Sequence, residues 1–199
     1  MRYAVAMDSQ PRIARDTFFV FDPDRELADV LARVRSPKIA QVLRYWHGLR
    51  RGSQLPARAD VDPGEIKAAL PYVMITGISY DPFRVLYRLV GTEIVHWARV
   101  DFTNRYADEL VFDDEERDWT DYYRAVVDAR KPAYGITDWL QEGRSPMWAE
   151  SVICPLSSDG QTIDRCLAIE DYQPMSALEI ESLPPVGRRS TEPRKKASE

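Results

Sequence analysis

The stretch YVMITGISYDPFRVLYRLV, residues 72–90, decides the fold class of this chain. Residues 72–80 are apolar and β-branched and carry no helix caps, so they predict a strand. Asp81-Pro82 predicts a turn, and residues 84–90 alternate between two faces as a second strand does. The stretch is therefore predicted to form a β-hairpin.

Three more strands are predicted further along the chain, at residues 133–141, 147–156 and 163–171. Ser158-Asp159-Gly160 predicts a tight turn between the last two. A lone hairpin is marginally stable in water, so we expect the hairpin and the three-stranded meander to share one five-stranded antiparallel sheet.

Helices are predicted on either side of the hairpin. Ser36 as N-cap and Pro37 at the first helical position predict an amphipathic helix over about residues 37–50. Its apolar stripe consists of Ile39, Val42, Leu43, Trp46 and Leu49. A longer helix is predicted from Asp113 to Arg130. Together these elements predict an α+β domain with helices on one face of the sheet, plus the N-terminal amphipathic helix.

Residues 36–173 are predicted to be this domain. Residues 1–35 are interpreted as an N-terminal extension that contains a short helix before Ser36. Residues 174–199 are rich in Pro, Ser and charge, so we expect a disordered tail there.

Composition excludes several classes of partner. The net charge is −5 and the 27 Lys and Arg residues are dispersed, so neither nucleic acid nor an anionic membrane is an expected partner. No apolar run reaches about 18 residues, so no membrane span is predicted, and the short apolar run at the N-terminus argues against a secretory signal. With two cysteines, the expected compartment is the reducing cytoplasm.

The order of elements is that of a PAS domain: two strands, short helices, one longer helix and three strands. Short blocks of sequence also resemble a stand-alone bacterial PAS family, in particular LPARADVDP at 55–63, YRLVGTEIV at 87–95 and PLSSDG at 155–160. The resemblance covers about residues 37–171. It implies the PAS fold and a sensory or regulatory role, without catalytic residues. Asn104 stands where the family pattern has Gly, and Asn tolerates a left-handed backbone better than most residues.

Candidate ligand-pocket residues are aromatic or amphipathic side chains on elements that border a PAS cavity: His96, Trp97, Tyr106, Tyr123, Trp139 and Trp148. Arg105 is a candidate anchor for an anion. These side chains either line a ligand cavity or fill the core, and the sequence leaves both open. No cofactor is predicted, with haem at His96 as a minor alternative. No metal site is predicted, because the two His and two Cys lack zinc-ligand spacing.

The stripe of the N-terminal helix has two interpretations. It either packs on the sheet of its own chain or pairs with a partner, which includes a homodimer formed through this helix or the sheet. Cys154 and Cys166 give a conditional prediction. An odd number of loop residues between their strands places them face to face, and an even number places them on opposite faces.

We therefore expect a non-catalytic sensory domain that binds a small ligand, a protein partner or both. No output domain is recognisable, so the signal is expected to leave through contacts with another protein. One alternative is a pure protein-interaction module without a ligand. Another is a small cone-shaped α+β enzyme that uses acids such as Asp101 or Asp138, which requires a converging pair of catalytic groups.

Overall fold

The structure is a computed structural model that describes residues 16–110, 119–139 and 145–181. The strands described form one antiparallel sheet in the order β1-β4-β5-β6-β2-β3. Their bounds are β1 (Asp16–Val20), β2 (Val73–Tyr80), β3 (Phe83–Val90), β4 (Ala133–Trp139), β5 (Met147–Leu156) and β6 (Arg165–Pro174). The predicted hairpin is β2–β3 and the predicted meander is β4–β5–β6, so both are confirmed.

The helices are α1 (Leu27–Arg33), α2 (Pro37–Leu49), α3 (Thr92–Ala98), α4 (Trp119–Ala129) and α5 (Ala177–Glu181). Short 3-10 segments cover Arg58–Asp60, Pro63–Tyr72 and Ala107–Glu109. The side chain of Ser36 accepts a hydrogen bond from the Ile39 amide, as predicted for the N-cap of α2. The predicted start of the long helix, at Asp113, lies outside the described residues.

The sheet has a sixth strand that the sequence did not predict. β1 pairs with β4, and Phe18 lies opposite Gly135, where an added Cβ would come within 3.2 Å of the phenyl ring. Phe21, which directly follows β1, and Val30 on α1 are buried in the core. The interpretation of residues 1–35 as an extension is therefore wrong for residues 16–33, which belong to the domain.

The helices lie as predicted, with α3 and α4 on one face of the sheet and the N-terminal amphipathic helix α2 on the other. α2 packs on the face that presents Glu150 and Asp171, here called the α2 face. α3 and α4 cover the opposite face, here called the cavity face. Because helices cover both faces of the sheet, successive residues along β5 and β6 are buried on either side.

The apolar stripe of α2 is not a free interaction surface. Ile39, Val42, Leu43 and Trp46 are buried in the core of the same chain, and Leu49 is half-buried. The Trp46 indole N–H also donates to the backbone carbonyl of Pro155 at 3.0 Å. The stripe therefore packs on the sheet of its own chain, and formation of a homodimer through this helix or the sheet stays a prediction.

A buried polar network fixes the start of α2 to the sheet. Glu150 is 1% exposed, and its carboxylate accepts from the Arg35 amide at 2.9 Å, the Ser36 amide at 2.8 Å and the Tyr134 hydroxyl at 2.7 Å. Asp171 accepts from the Ser36 hydroxyl at 2.6 Å. Because charge-assisted hydrogen bonds satisfy both buried acids, the network stabilises this junction.

The C-terminal segment is ordered further than predicted. We expected disorder from residue 174, but α5 forms because Ser176 and Glu179 cap each other reciprocally. The Trp148 indole N–H donates to the Glu179 carboxylate at 3.0 Å, which ties α5 to the α2 face. Residues 182–199 lie outside the described residues.

The loop between the strands of the two cysteines has an even number of residues, the case for which we predicted that they lie on opposite faces of the sheet. The loop spans residues 157–164, so Cys154 lies opposite Leu167 and Cys166 lies opposite Pro155. The two thiols therefore point to opposite faces of the sheet and are free and buried. Burial raises the pKa of both thiols, that of Cys166 to about 12.

Candidate functional site

A cavity of about 50 Å³ lies between the cavity face of the sheet and the helices α3 and α4. β2, β3, β5 and β6 supply its floor, and the loop after α3 supplies one wall. The lining residues are Met74, Tyr87, Ile94, Ala98, Phe102, Trp119, Tyr123, Ser151, Val152, Ile153, Ala168, Ile169, Glu170 and Tyr172.

Aromatic rings from separate elements surround this cavity. Tyr87 on β3 meets Phe102 edge-on at 4.8 Å between ring centroids, and it meets Tyr123 on α4 edge-on at 6.3 Å. Tyr172 on β6 and Trp119 on α4 complete the aromatic part of the lining. Edge-to-face contacts of this kind fix the rings relative to each other.

Asn104 holds the loop that carries Phe102. Its φ of 63° is left-handed, as the sequence led us to expect for a position where the family pattern has Gly. Its amide donates to the Tyr87 carbonyl at 2.6 Å. The loop is thereby tied to β3, which keeps Phe102 against Tyr87.

Glu170 is the one carboxylate among the described lining residues. It lies on β6 opposite Ser151, and the next residue, Asp171, points to the α2 face. Burial raises the pKa of the phenols of Tyr87 and Tyr172, and the nearby negative charge of Glu170 raises each further. Both phenols therefore stay neutral at physiological pH.

Of the predicted pocket residues, Tyr123 lines the cavity. Trp97 lies behind the lining and packs on Tyr172 with ring centroids 5.3 Å apart. His96 is exposed on α3 and is not a lining residue, so its position gives the haem alternative no support. It contacts Trp97 edge-on instead.

Arg105 and Tyr106 lie beside β3, away from the cavity lining. The Arg105 side chain is half exposed, and its Nε lies 3.7 Å from the Glu109 carboxylate, as is typical of a surface pair. The guanidinium of Arg84 stacks 3.5 Å from the centroid of the Tyr106 ring. These contacts give both residues structural roles.

The structure shows the position of only one of the two tryptophan side chains that were predicted, on the meander, to line the pocket. Trp148 does not line this cavity, because strand alternation points it to the α2 face, where it packs with Ile136 and Met175. The backbone of Trp139 pairs with Met147 at the end of β4, and its side chain lies outside the described residues.

Sequence reasoning missed the lining residues Tyr87, Phe102, Trp119, Glu170 and Tyr172. One signal could have found two of them. Glu170 and Tyr172 alternate along β6, where the two consecutive acids Glu170 and Asp171 follow the apolar residues 166–169. Acids within a largely buried strand are rare without a specific partner or role.

A second cavity, of about 260 Å³, lies where two of the family-like blocks meet. The amide of Ser157 donates to the Pro56 carbonyl at 2.9 Å and joins the two blocks. Asp159 accepts from the backbone amides of Thr162 and Gln161, and these bonds lower its pKa to about 2. The carboxylate of Asp60 accepts from the amide of its own turn. The polar groups of this cavity therefore maintain the turns themselves.

The α+β architecture, with one antiparallel sheet and a helix-covered cavity, is that of a sensory PAS-type domain. A family described as PAS domain matches residues 34–169, and the chain belongs to that family. No curated protein matches the chain. A solved structure described as an RNA-binding Light-Oxygen-Voltage receptor is similar, with 10% identity and a TM-score of 0.41. The match covers 73% of this chain and 47% of that chain.

Two further observations concern the described residues only. No helix within 16–110, 119–139 and 145–181 is long and apolar enough to cross a membrane. In the same ranges, no group of three or more His, Cys, Asp or Glu side chains is placed to hold a metal ion.

Proposed function

We propose that this PAS domain senses a small molecule in the cavity beside β6 and reports its presence through contacts with a protein partner. The observation that carries the proposal is the mixed chemistry of the cavity, in which aromatic rings surround a single described carboxylate. A cavity that places one polar group within an apolar lining can orient a ligand as well as hold it.

The volume limits the size of the ligand. Sites for drug-sized ligands measure roughly 300–1,000 Å³, whereas this cavity measures about 50 Å³. The proposed ligand is therefore a molecule or head group of a few heavy atoms. The proposed ligand is neither a haem nor a flavin, because either is larger than such a volume.

β6 connects the cavity with the junction at the start of α2, and we propose that it transmits the effect of ligand binding. Glu170 faces the cavity, and Asp171, the next residue, binds the Ser36 hydroxyl at the start of α2. A change in the position of β6 on ligand binding would therefore act on the junction with α2. β3 is the edge strand at the other end of the sheet. The segment around Arg105 already pairs with the middle of this edge, because the Tyr87 amide donates to the Arg105 carbonyl at 3.0 Å.

We also infer that the domain is not an enzyme. Catalysis by acid and base needs two converging groups, and the described lining contributes only Glu170. Asp101 is exposed, and neither it nor Asp138 is a described lining residue. The cytoplasm remains the proposed location.

The test is native mass spectrometry of the full chain purified from its own cells. Ala98 lines the cavity on α3, and Ala98→Leu fills part of the space. We expect a bound mass on the wild-type chain and its loss in Ala98→Leu. Ala129→Leu, at an exposed position on α4, is the matched control and should retain the mass.

The second candidate function is a protein-interaction module with a filled core, which the small cavity volume favours. It predicts no bound mass in any of the three chains and unchanged partner capture by Ala98→Leu. That result would contradict the ligand-sensing proposal.

A further inference from the structure

We propose that the Ser151 hydroxyl binds the ligand of the cavity beside β6 by donating a hydrogen bond to one uncharged oxygen, so that the ligand is a small alcohol, ether or ketone. This inference rests on the proposed ligand-sensing function and names the chemical class of the ligand. It is argued from the position of Ser151, from the partners of the other polar groups, and from the charge and size of the site.

Ser151 lies on β5 and presents its side chain to the cavity face of the sheet. It pairs with Gly135 on β4 and with Glu170 on β6, and residues directly opposite each other in an antiparallel pair share a face. A Cβ added at Gly135 would lie 3.2 Å from the Ser151 Oγ. Because Gly135 has no such atom, no side chain at that position covers the hydroxyl from the side of β4.

A smaller cavity of about 30 Å³, here called the β1 cavity, lies on the same face of the sheet. Phe18 on β1 is among its lining residues. Trp119, Ser151 and Ile153 line both this cavity and the cavity beside β6. Ser151 therefore lies where the two cavities adjoin, and a ligand held by its hydroxyl can extend toward either one.

The other hydroxyl and carboxyl groups that line the cavity beside β6 already have partners. The Tyr123 hydroxyl donates to the Tyr87 hydroxyl, and the Tyr172 hydroxyl donates to the Glu170 carboxylate. The Ser151 hydroxyl has no hydrogen-bond partner among the residues that the structure describes. A single polar group without a partner in a largely apolar site favours a ligand that supplies one.

The charge of the lining favours an uncharged oxygen. A serine hydroxyl can donate to any oxygen acceptor. A carboxylate or phosphate would be repelled by Glu170, and the described lining residues of both cavities include no Lys, Arg or His. An anion would therefore lose its hydration without gaining a cation as partner. Alcohols, ethers and ketones avoid this cost.

The size and the remaining lining define the rest of the ligand. The two volumes, about 50 and 30 Å³, admit a molecule of a few heavy atoms. Apart from the polar groups already named, the two cavities are lined mainly by aliphatic and aromatic side chains. The ligand is therefore a short or cyclic hydrocarbon body that carries one oxygen.

The test compares tetrahydrofuran with cyclopentane, two five-membered rings of similar size in which a ring oxygen is replaced by a CH₂ group. Amide chemical shifts of the ¹⁵N-labelled full chain are followed during titration with each probe, which measures weak affinities and locates the binding site. We expect both probes to shift amides of β5 and α4. Tetrahydrofuran also loses hydrogen bonds to water on binding, so the informative quantity is the change in each affinity on mutation.

Ser151→Ala isolates the hydroxyl. We expect it to weaken binding of tetrahydrofuran about fivefold and to leave binding of cyclopentane within about twofold, because only tetrahydrofuran accepts the hydrogen bond. Ser53→Ala, at an exposed position, is the matched control and should leave both affinities unchanged. Since the Ser151 hydroxyl has no partner within the described chain, the melting temperature of Ser151→Ala should stay close to that of wild type.

The outcomes separate this inference from the proposed function. If Ser151→Ala changes the two affinities equally, or changes neither, the role of the hydroxyl is overturned. A native ligand without an alcohol, ether or ketone oxygen overturns the chemical class and leaves ligand sensing intact. Failure of both probes to bind the wild-type chain overturns this inference, and only the additional absence of a native bound mass overturns ligand sensing.

Discussion

The buried network at the start of α2 allows one prediction to be worked out in detail, for Glu150→Gln. One oxygen of the Glu150 carboxylate accepts from the Arg35 amide and the Tyr134 hydroxyl, and the other accepts from the Ser36 amide. A glutamine oxygen can replace the first. Its NH₂ group then faces the Ser36 amide, so two donors point at each other.

The expected loss of stability follows from this geometry. One charge-assisted hydrogen bond is lost, a contribution of about 1.5–3 kcal/mol, and a buried amide is left without an acceptor, which costs about 1–3 kcal/mol. Glutamine is uncharged, so the variant no longer has the desolvation cost of a buried carboxylate, and this offsets part of the lost stability. We expect Glu150→Gln to lower the free energy of unfolding by about 2–4 kcal/mol, and Tyr134→Phe, which removes one bond only, by about 1–2 kcal/mol.

Urea denaturation measures these changes, and amide hydrogen exchange locates them. The exchange rate of the Ser36 amide should rise selectively in Glu150→Gln, since this amide loses its acceptor and faces a new donor, while the Arg35 amide keeps an acceptor. Glu65→Gln, at an exposed position, is the matched control and should stay within about 0.5 kcal/mol of wild type. A Glu150→Gln protein as stable as that control would refute the reasoning that the network anchors α2.

Two further predictions follow from local geometry. Gly91→Ala should destabilise the chain by about 1–3 kcal/mol, because the added methyl group would overlap the Pro71 carbonyl. Gly48→Ala, on α2 with open space around it, should instead stabilise by about 0.5–1 kcal/mol, and equal effects in urea denaturation would contradict this contrast. Asp159→Asn should destabilise the chain at neutral pH. The pKa of Asp159 is lower in the folded chain, at about 2, than its ordinary value of 3.8, so its contribution is present above pH 3.8 and lost as the pH falls through about 2. The difference in free energy of unfolding between Asp159→Asn and wild type, measured by urea denaturation, should therefore shrink as the pH falls from 3.8 to about 2. A difference that stays constant over this pH range would exclude the charge of Asp159 as its source.

Local patterns predicted most of the sheet. The hairpin at residues 72–90 was recognisable because alternation and turn residues lie within one short stretch. β1 was not recognisable, since five residues give little pattern and its partner β4 is more than a hundred residues away. The stripe of α2 indicated a buried helix face, but an amphipathic pattern does not state what covers it.

The cavity was predicted less well than the fold. Whether a strand side chain lines the cavity depends on register and on which face each helix covers, and neither is local information. Trp148 points away from the cavity for this reason, while Tyr123 is a lining residue because α4 has one apolar face. The consecutive acids Glu170 and Asp171 were the overlooked signal, since each serves a different face of the sheet.

The sixth strand has a consequence for where this domain begins. The family match begins at residue 34, yet β1 pairs with the outer edge of β4 and Phe21 lies in the core. A chain started at residue 34 would leave β4 as an unpaired edge, which invites association with other chains. The segment that the family model matches is thus shorter than the sheet of this chain, and residues 16–33 supply the edge strand and part of the core.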